Sequence, residues 1–125
     1  MFLTIQTGKA PAAIGPYSQA IVAGDWIFVS GQIGLDPGSG ELKGPDLETQ
    51  ARQALANLEA ILKAADCGLN QVAAVDVFLT DMNDFAAFNA IYEESFSSHR
   101  PARAVVAVKE LPKNAVVEIK CIASQ

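Results

Sequence analysis

The stretch Ser18-Gln-Ala-Ile-Val-Ala-Gly-Asp-Trp-Ile-Phe-Val-Ser-Gly-Gln-Ile33 reads as two β-strands closed by Gly24-Asp25. Gly followed by Asp is a permitted two-residue hairpin turn. Alternation on the second strand puts Trp26, Phe28, Ser30 and Gln32 on one face. Ile27, Val29, Gly31 and Ile33 take the other. Ser30 and Gln32 interrupt an otherwise apolar strand.

Working outward, Gly34 to Gly44 is loop-like, with Asp36-Pro37-Gly38 as its turn. Asp46 is placed to cap a helix running to about Ala65, where Leu47, Ala51, Ala54, Leu55, Leu58, Ile61 and Leu62 recur at helical steps. Gly68 is the expected stop. Val72 to Leu79 is rich in β-branched residues and reads as a strand. A second helix begins near Asn83 or Asp84, and Phe85, Phe88, Tyr92 and Phe96 give it a ring stripe expected in the core. Pro101 ends any continuation. Strands follow at Arg103 to Val108 and Val116 to Ala123, separated by a turn at Pro112-Lys113-Asn114, and Phe2 to Gln6 offers a short extra strand.

The order β-β-α-β-α-β-β predicts an α+β fold: a mixed β-sheet with two helices packed on one face, as a single domain over residues 1–125. The sheet's other face would carry Trp26, Phe28, Ala74 and Phe78. An apolar face of that kind marks an interface, and self-association is the economical occupant.

Composition narrows the function. The net charge is −5 and the basic residues are scattered, so a nucleic-acid partner is not expected. Two distant cysteines, Cys67 and Cys121, and one histidine, His99, do not make a metal site. The cysteines read as small buried hydrophobes and His99 as a solvated loop residue. No apolar run is long enough for a bilayer and no signal peptide is visible, so the expected location is cytoplasmic, with no membrane partner. Neither a Rossmann nor a P-loop glycine pattern occurs, and no GxSxG surrounds Ser30.

Polar residues in apolar settings remain: Arg103 opening a strand, Glu118 in mid-strand, Ser30 and Gln32, Tyr17 after Gly15-Pro16, and Asn89 on the ring-bearing helix. Gathered in one cleft they would form an anion site, with the Arg fork on a carboxylate and Glu118 handling a proton. Plainer readings are open beside this one. Arg103 and Glu118 could be a cross-strand ion pair, Ser30 could satisfy a backbone group, and Tyr17 could be half-buried packing.

At these residues the chain resembles the Rid family, the reactive intermediate deaminases also called YjgF or L-PSP proteins. The similarity lies in Ala10-Pro-Ala-Ala-Ile-Gly-Pro-Tyr-Ser-Gln19 and Phe28-Val-Ser-Gly-Gln-Ile33. It continues through Asp81-Met-Asn-Asp-Phe85 with Asn89 and Tyr92, then Pro101-Ala-Arg103, Leu111-Pro-Lys113 and Val117-Glu-Ile119. The resemblance implies a chorismate-mutase-like subunit and a homotrimer with clefts between subunits. It implies hydrolysis of enamines and imines such as 2-aminoacrylate and 2-iminobutyrate to 2-keto acids and ammonia, with no metal and no cofactor. It assigns Arg103 to the substrate carboxylate and Glu118 to a water or proton. Tyr17, Ser30 and Gly31 would line the site, with Tyr17 reaching across the interface, and Asn89 would support it. Val105 occupies a position where many members carry a Cys, which excludes thiol chemistry there. Two rivals stand beside this reading: a regulatory trimer that binds keto acids or other carboxylates without turnover, and an endoribonuclease or translation inhibitor.

Overall fold

A computed structural model describes residues 1–125. The Gly24-Asp25 turn joins strand β2 (Ala20–Ala23) to β3 (Trp26–Gln32), with Ala23 paired to Trp26. Gly24 takes φ 61, which a residue without Cβ adopts at little cost. A short strand, β1 (Phe2–Ile5), pairs antiparallel with β2.

After β3 the chain runs through helix α1 (Leu47–Ala64), strand β4 (Val72–Leu79), helix α2 (Phe85–Ser95) and strands β5 (Ala102–Ala107) and β6 (Val117–Ser124). The sheet order is β1-β2-β3-β6-β4-β5. The last strand in the chain therefore inserts in the middle, antiparallel to β3 and β4. Only β4 and β5 are parallel, and α2 is the crossover that such a pair requires.

Asp46 caps α1 by accepting from the Thr49 N–H and hydroxyl. The apolar stripe of α1 buries Ala51, Ala54, Leu55, Leu58, Ile61 and Leu62. It meets the inner residues of the sheet, including Ile27, Val29, Val77 and Ile119. Helix α1 packs on β3 and β6 and against α2, so both helices cover one face. Arg52 pairs with Glu48 one turn back on α1 and with Glu94, and the second pair links the exposed rims of α1 and α2. No helix is long and apolar enough to cross a membrane.

Four details differ from the sequence expectations. Helix α1 is stopped by Asp66 at φ 57, not by Gly68: the Cys67 N–H bonds the Leu62 carbonyl and the Asp66 N–H bonds that of Lys63. Asp tolerates the left-handed region, so this reversal needs no glycine. Gln32 is buried, not on the Trp26 face, because a register shift interrupts alternation after Val29. Phe85 is exposed and only Phe88, Tyr92 and Phe96 of the ring stripe enter the core. His99 is not free in solvent: its Nε2 donates to the Val72 carbonyl at 2.6 Å. The open face carries Trp26 and Phe28, each 46% exposed, as alternation expected.

Buried amides tie the loops to this frame. Gln19 Nε2 donates to the carbonyls of Thr7, Ala10 and Pro11, and its Oε1 accepts from the Thr7 N–H. The Ser30 N–H in turn donates to the Gln19 carbonyl. One side chain thus fixes the segment leading to Tyr17. Replacing it with Leu leaves these groups unmatched, and Gln19→Leu should lower stability by about 2–3 kcal/mol in urea unfolding. A midpoint equal to wild type would show that solvent satisfies the loop.

Candidate functional site

The interruption in β3 builds a cleft. Val29 pairs with Cys121 and Gln32 with Ile119, so Ser30 and Gly31 together face the single residue Lys120. This is a β-bulge, a device that re-aims side chains. Around it lies a cleft of about 760 Å³ whose lining includes Tyr17, Ser30, Gly31, Lys113, Glu118 and Lys120.

Glu118 projects from the open face of β6. A Cβ on Gly31 would stand 2.7 Å from its Oε2 and 2.9 Å from its Cδ. Gly31 is therefore the residue type that lets the carboxyl lie against the bulge. Burial pushes the Glu118 carboxyl above its ordinary range, and the charge of Lys120 partly offsets this. The Ser30 hydroxyl donates to the Ser18 carbonyl at 2.5 Å, the local backbone role that its plainer reading allowed. Its lone pairs stay available as acceptors. Tyr17 is half exposed, and its hydroxyl accepts from the Ile14 N–H at 3.3 Å. Its N–H donates to the carbonyl of Gly15, whose φ of 122 suits glycine.

Arg103 lies elsewhere. It pairs in register with Val75, a buried residue on the helix side of the sheet. Its guanidinium carbon sits 4.6 Å from the Tyr92 ring centroid and 5.9 Å from that of Phe85. Such stacking holds the fork in place without occupying its donors. Arg52 and Arg100 pair with carboxylates, whereas Arg103 takes part in none of the four ion pairs. Val105 pairs with Val77, two residues along the same strand, and packs on the core. Asn89 lies one helical turn before Tyr92. The Asn89 Oδ1 and the Tyr92 hydroxyl are buried without hydrogen-bond partners.

One chain thus separates the expected site into two parts. Tyr17, Ser30, Gly31 and Glu118 meet at the cleft. Arg103 and Asn89 share the α2–β5 edge. Strand β4 lies between β6 and β5, so Arg103 and Glu118 are not on neighbouring strands and form no cross-strand ion pair. Sequence reasoning did not single out Lys120, although its spacing from Glu118 places both on one strand face. It also took Tyr92 for core packing alone. Both cysteines are buried, and burial pushes the Cys121 thiol up to about 12.

A family profile described as Endoribonuclease L-PSP matches residues 7–125. A RutC family protein of Pyrococcus horikoshii is 51% identical, covering 95% of this chain and 94% of its own. A 2-iminobutanoate/2-iminopropanoate deaminase of Mus musculus is 52% identical, covering 97% of this chain and 90% of its own. The crystal structure of E. coli TdcF with bound serine superposes with a TM-score of 0.94 at 41% identity, covering 98% of each chain.

Glu118 is expected to titrate above the ordinary 4.5. Its folded form favours the proton, so its contribution to stability is full below the unfolded pKa and is lost as pH rises through the folded one. A ¹³C NMR titration of the carboxyl measures this directly. Lys120→Met should move the midpoint further up; a midpoint at or below the ordinary value would contradict the burial argument.

Proposed function

This chain belongs to the endoribonuclease L-PSP family, also called the Rid family, and on that premise we propose that it is a deaminase of reactive enamines and imines. It converts 2-aminoacrylate and 2-iminobutyrate to 2-keto acids and ammonia, in the cytoplasm. The observation that carries this reading is that the chain presents both a free, stacked guanidinium and a half-buried carboxyl whose proton affinity is raised by burial.

The two halves come together between copies of the chain. The α2–β5 edge of one subunit sets Arg103 and Asn89 against the Glu118 cleft of the next, in a cyclic homotrimer. Three features support such an assembly. Strand β5 is a sheet edge, Trp26 and Phe28 stand exposed on the open face, and the Asn89 and Tyr92 oxygens lack partners inside the chain. An unmatched buried polar atom costs roughly 1–3 kcal/mol, which a neighbouring subunit or ligand offsets.

The chemistry follows from the groups. An enamine tautomerises to its imine, R–C(=NH₂⁺)–CO₂⁻. Arg103 holds the carboxylate bidentately and so fixes the carbon. Water adds to that carbon while Glu118 takes its proton, and Glu118 returns a proton to the departing nitrogen. The C–O bond forms, the C–N bond breaks, and the products are R–CO–CO₂⁻ and NH₄⁺. Ser30, Tyr17 and the bulge backbone at Gly31 line the path of the water. A carboxylate binder without turnover would need the Arg103 half alone, and the placement of Glu118 favours catalysis. The nucleolytic reading gains nothing from His99, which is held on the Val72 carbonyl.

A coupled assay tests this. Serine or threonine dehydratase generates the imine, semicarbazide traps what remains, and the gain in keto-acid release is measured. Arg103→Ala should lose at least about 100-fold of the acceleration, the scale of a lost positioning clamp, while keeping its size on gel filtration. Near-wild-type turnover would overturn the assignment.

A second assay asks where the halves meet. Arg103→Ala and Glu118→Gln chains, each inactive alone, should regain activity when co-expressed, because roughly a quarter of clefts in random cyclic mixing combine two intact halves. No recovery in mixed trimers would place both residues in one subunit's site.

A further inference from the structure

The Glu118 cleft carries more positive charge than hydrolysis of a simple imine uses. Lys113 and Lys120 line it together with Glu118, two ammonium groups beside one carboxyl, in a chain whose net charge is −5. Lys113 is engaged elsewhere, because its Nζ donates to the Gly40 carbonyl at 3.2 Å and ties down the loop after β3. Lys120 is exposed and takes part in no ion pair. Its register partner on β4 is Asp76, which stays outside ion-pair distance. An ammonium outside every ion pair therefore stands on the wall of the cleft, acting within the chain through its field on Glu118.

Its position relative to Glu118 is fixed by the strand. The two residues are two apart on one face of β6, roughly 6.5–7 Å along the strand. Ile21 and Phe28 add apolar wall to the same cleft. Phe28 pairs with Ile122, so a ligand extending along β6 from the reacting centre beside Glu118 would meet the cation of Lys120 first and the apolar wall beyond it. An ammonium on a flexible stem acts as a point charge and needs no fixed fork geometry, which suits a mobile chain end.

We propose that Lys120 is a specificity-determining residue that favours 2-imino acids bearing a second carboxylate at the end of the side chain. The inference rests on the deaminase reading and extends it to a substrate class. Arg103 of the neighbouring copy takes the carboxylate beside the imine, Glu118 works at the C=N bond, and Lys120 meets the distal carboxylate. The reaction is unchanged: water enters, ammonium leaves, and the product is a 2-keto dicarboxylate.

The test compares wild type, Lys120→Met and Lys120→Arg on 2-iminoglutarate and 2-iminobutyrate, each generated in situ by an amino-acid oxidase. The ratio of kcat/KM for the acidic over the neutral imine should fall about tenfold in Lys120→Met, the size of one charge-assisted contact. Lys120→Arg should restore it. An equal ratio in wild type and Lys120→Met overturns the proposal. Calorimetric binding of 2-oxoglutarate and 2-oxobutyrate reads the same preference without turnover. If wild type accelerates neither imine, the deaminase reading fails. A 2-oxoglutarate preference lost in Lys120→Met then still supports the role of Lys120, and equal binding of the two keto acids by wild type and variant overturns it.

Discussion

The structure depends on β6 lying between β3 and β4. Its inner residues Val117, Ile119, Cys121 and Ala123 are buried beneath the helices, and its backbone pairs on both sides. Against β4 the register holds from Ala74 to Leu79, whereas against β3 it slips between Val29 and Gln32. That slip frees Ser30 and Gly31 from regular pairing and brings backbone against Glu118. The cleft is therefore a consequence of strand order: a rigid central strand meets a bulged neighbour, and the outer face of β6 is left lined with functional groups.

Much of this was legible from residue pattern. The hairpin turn, the Asp46 cap, the bounds of β4 and the order of elements follow from turn chemistry, helical periodicity and β-branched runs. The bulge was not legible, because strict alternation has no means of inserting a residue; Gln32 was accordingly placed on the wrong face. The helix stop at Asp66 escaped notice because glycine is the expected left-handed residue, and Asp reaches that region too. Phe85 fits the ring stripe by spacing, yet it sits at the start of α2 and stays exposed, with the Arg103 guanidinium 5.9 Å from its ring centroid.

The site was legible as a set of residue types and not as an arrangement. Polar residues in apolar settings singled out Arg103, Glu118, Tyr17 and Ser30, and the family resemblance added Gly31 and the roles. Spacing could not reveal that Arg103 lies on the helix side of an edge strand and Glu118 on the opposite face, with β4 between them. That separation is a matter of long-range strand order. Tyr92 shows the same limit: its ring belongs to the core, while its face holds the guanidinium and its hydroxyl ends without a partner.

The unmatched oxygens of Asn89 and Tyr92 carry a consequence for linkage. In the proposed trimer, a molecule seated between Arg103 of one copy and Glu118 of the next binds only the assembled form. By mass action, such a ligand holds the subunits together as well as occupying them. Keto-acid product would then act as a thermodynamic glue, and dilution in its absence would favour separated subunits.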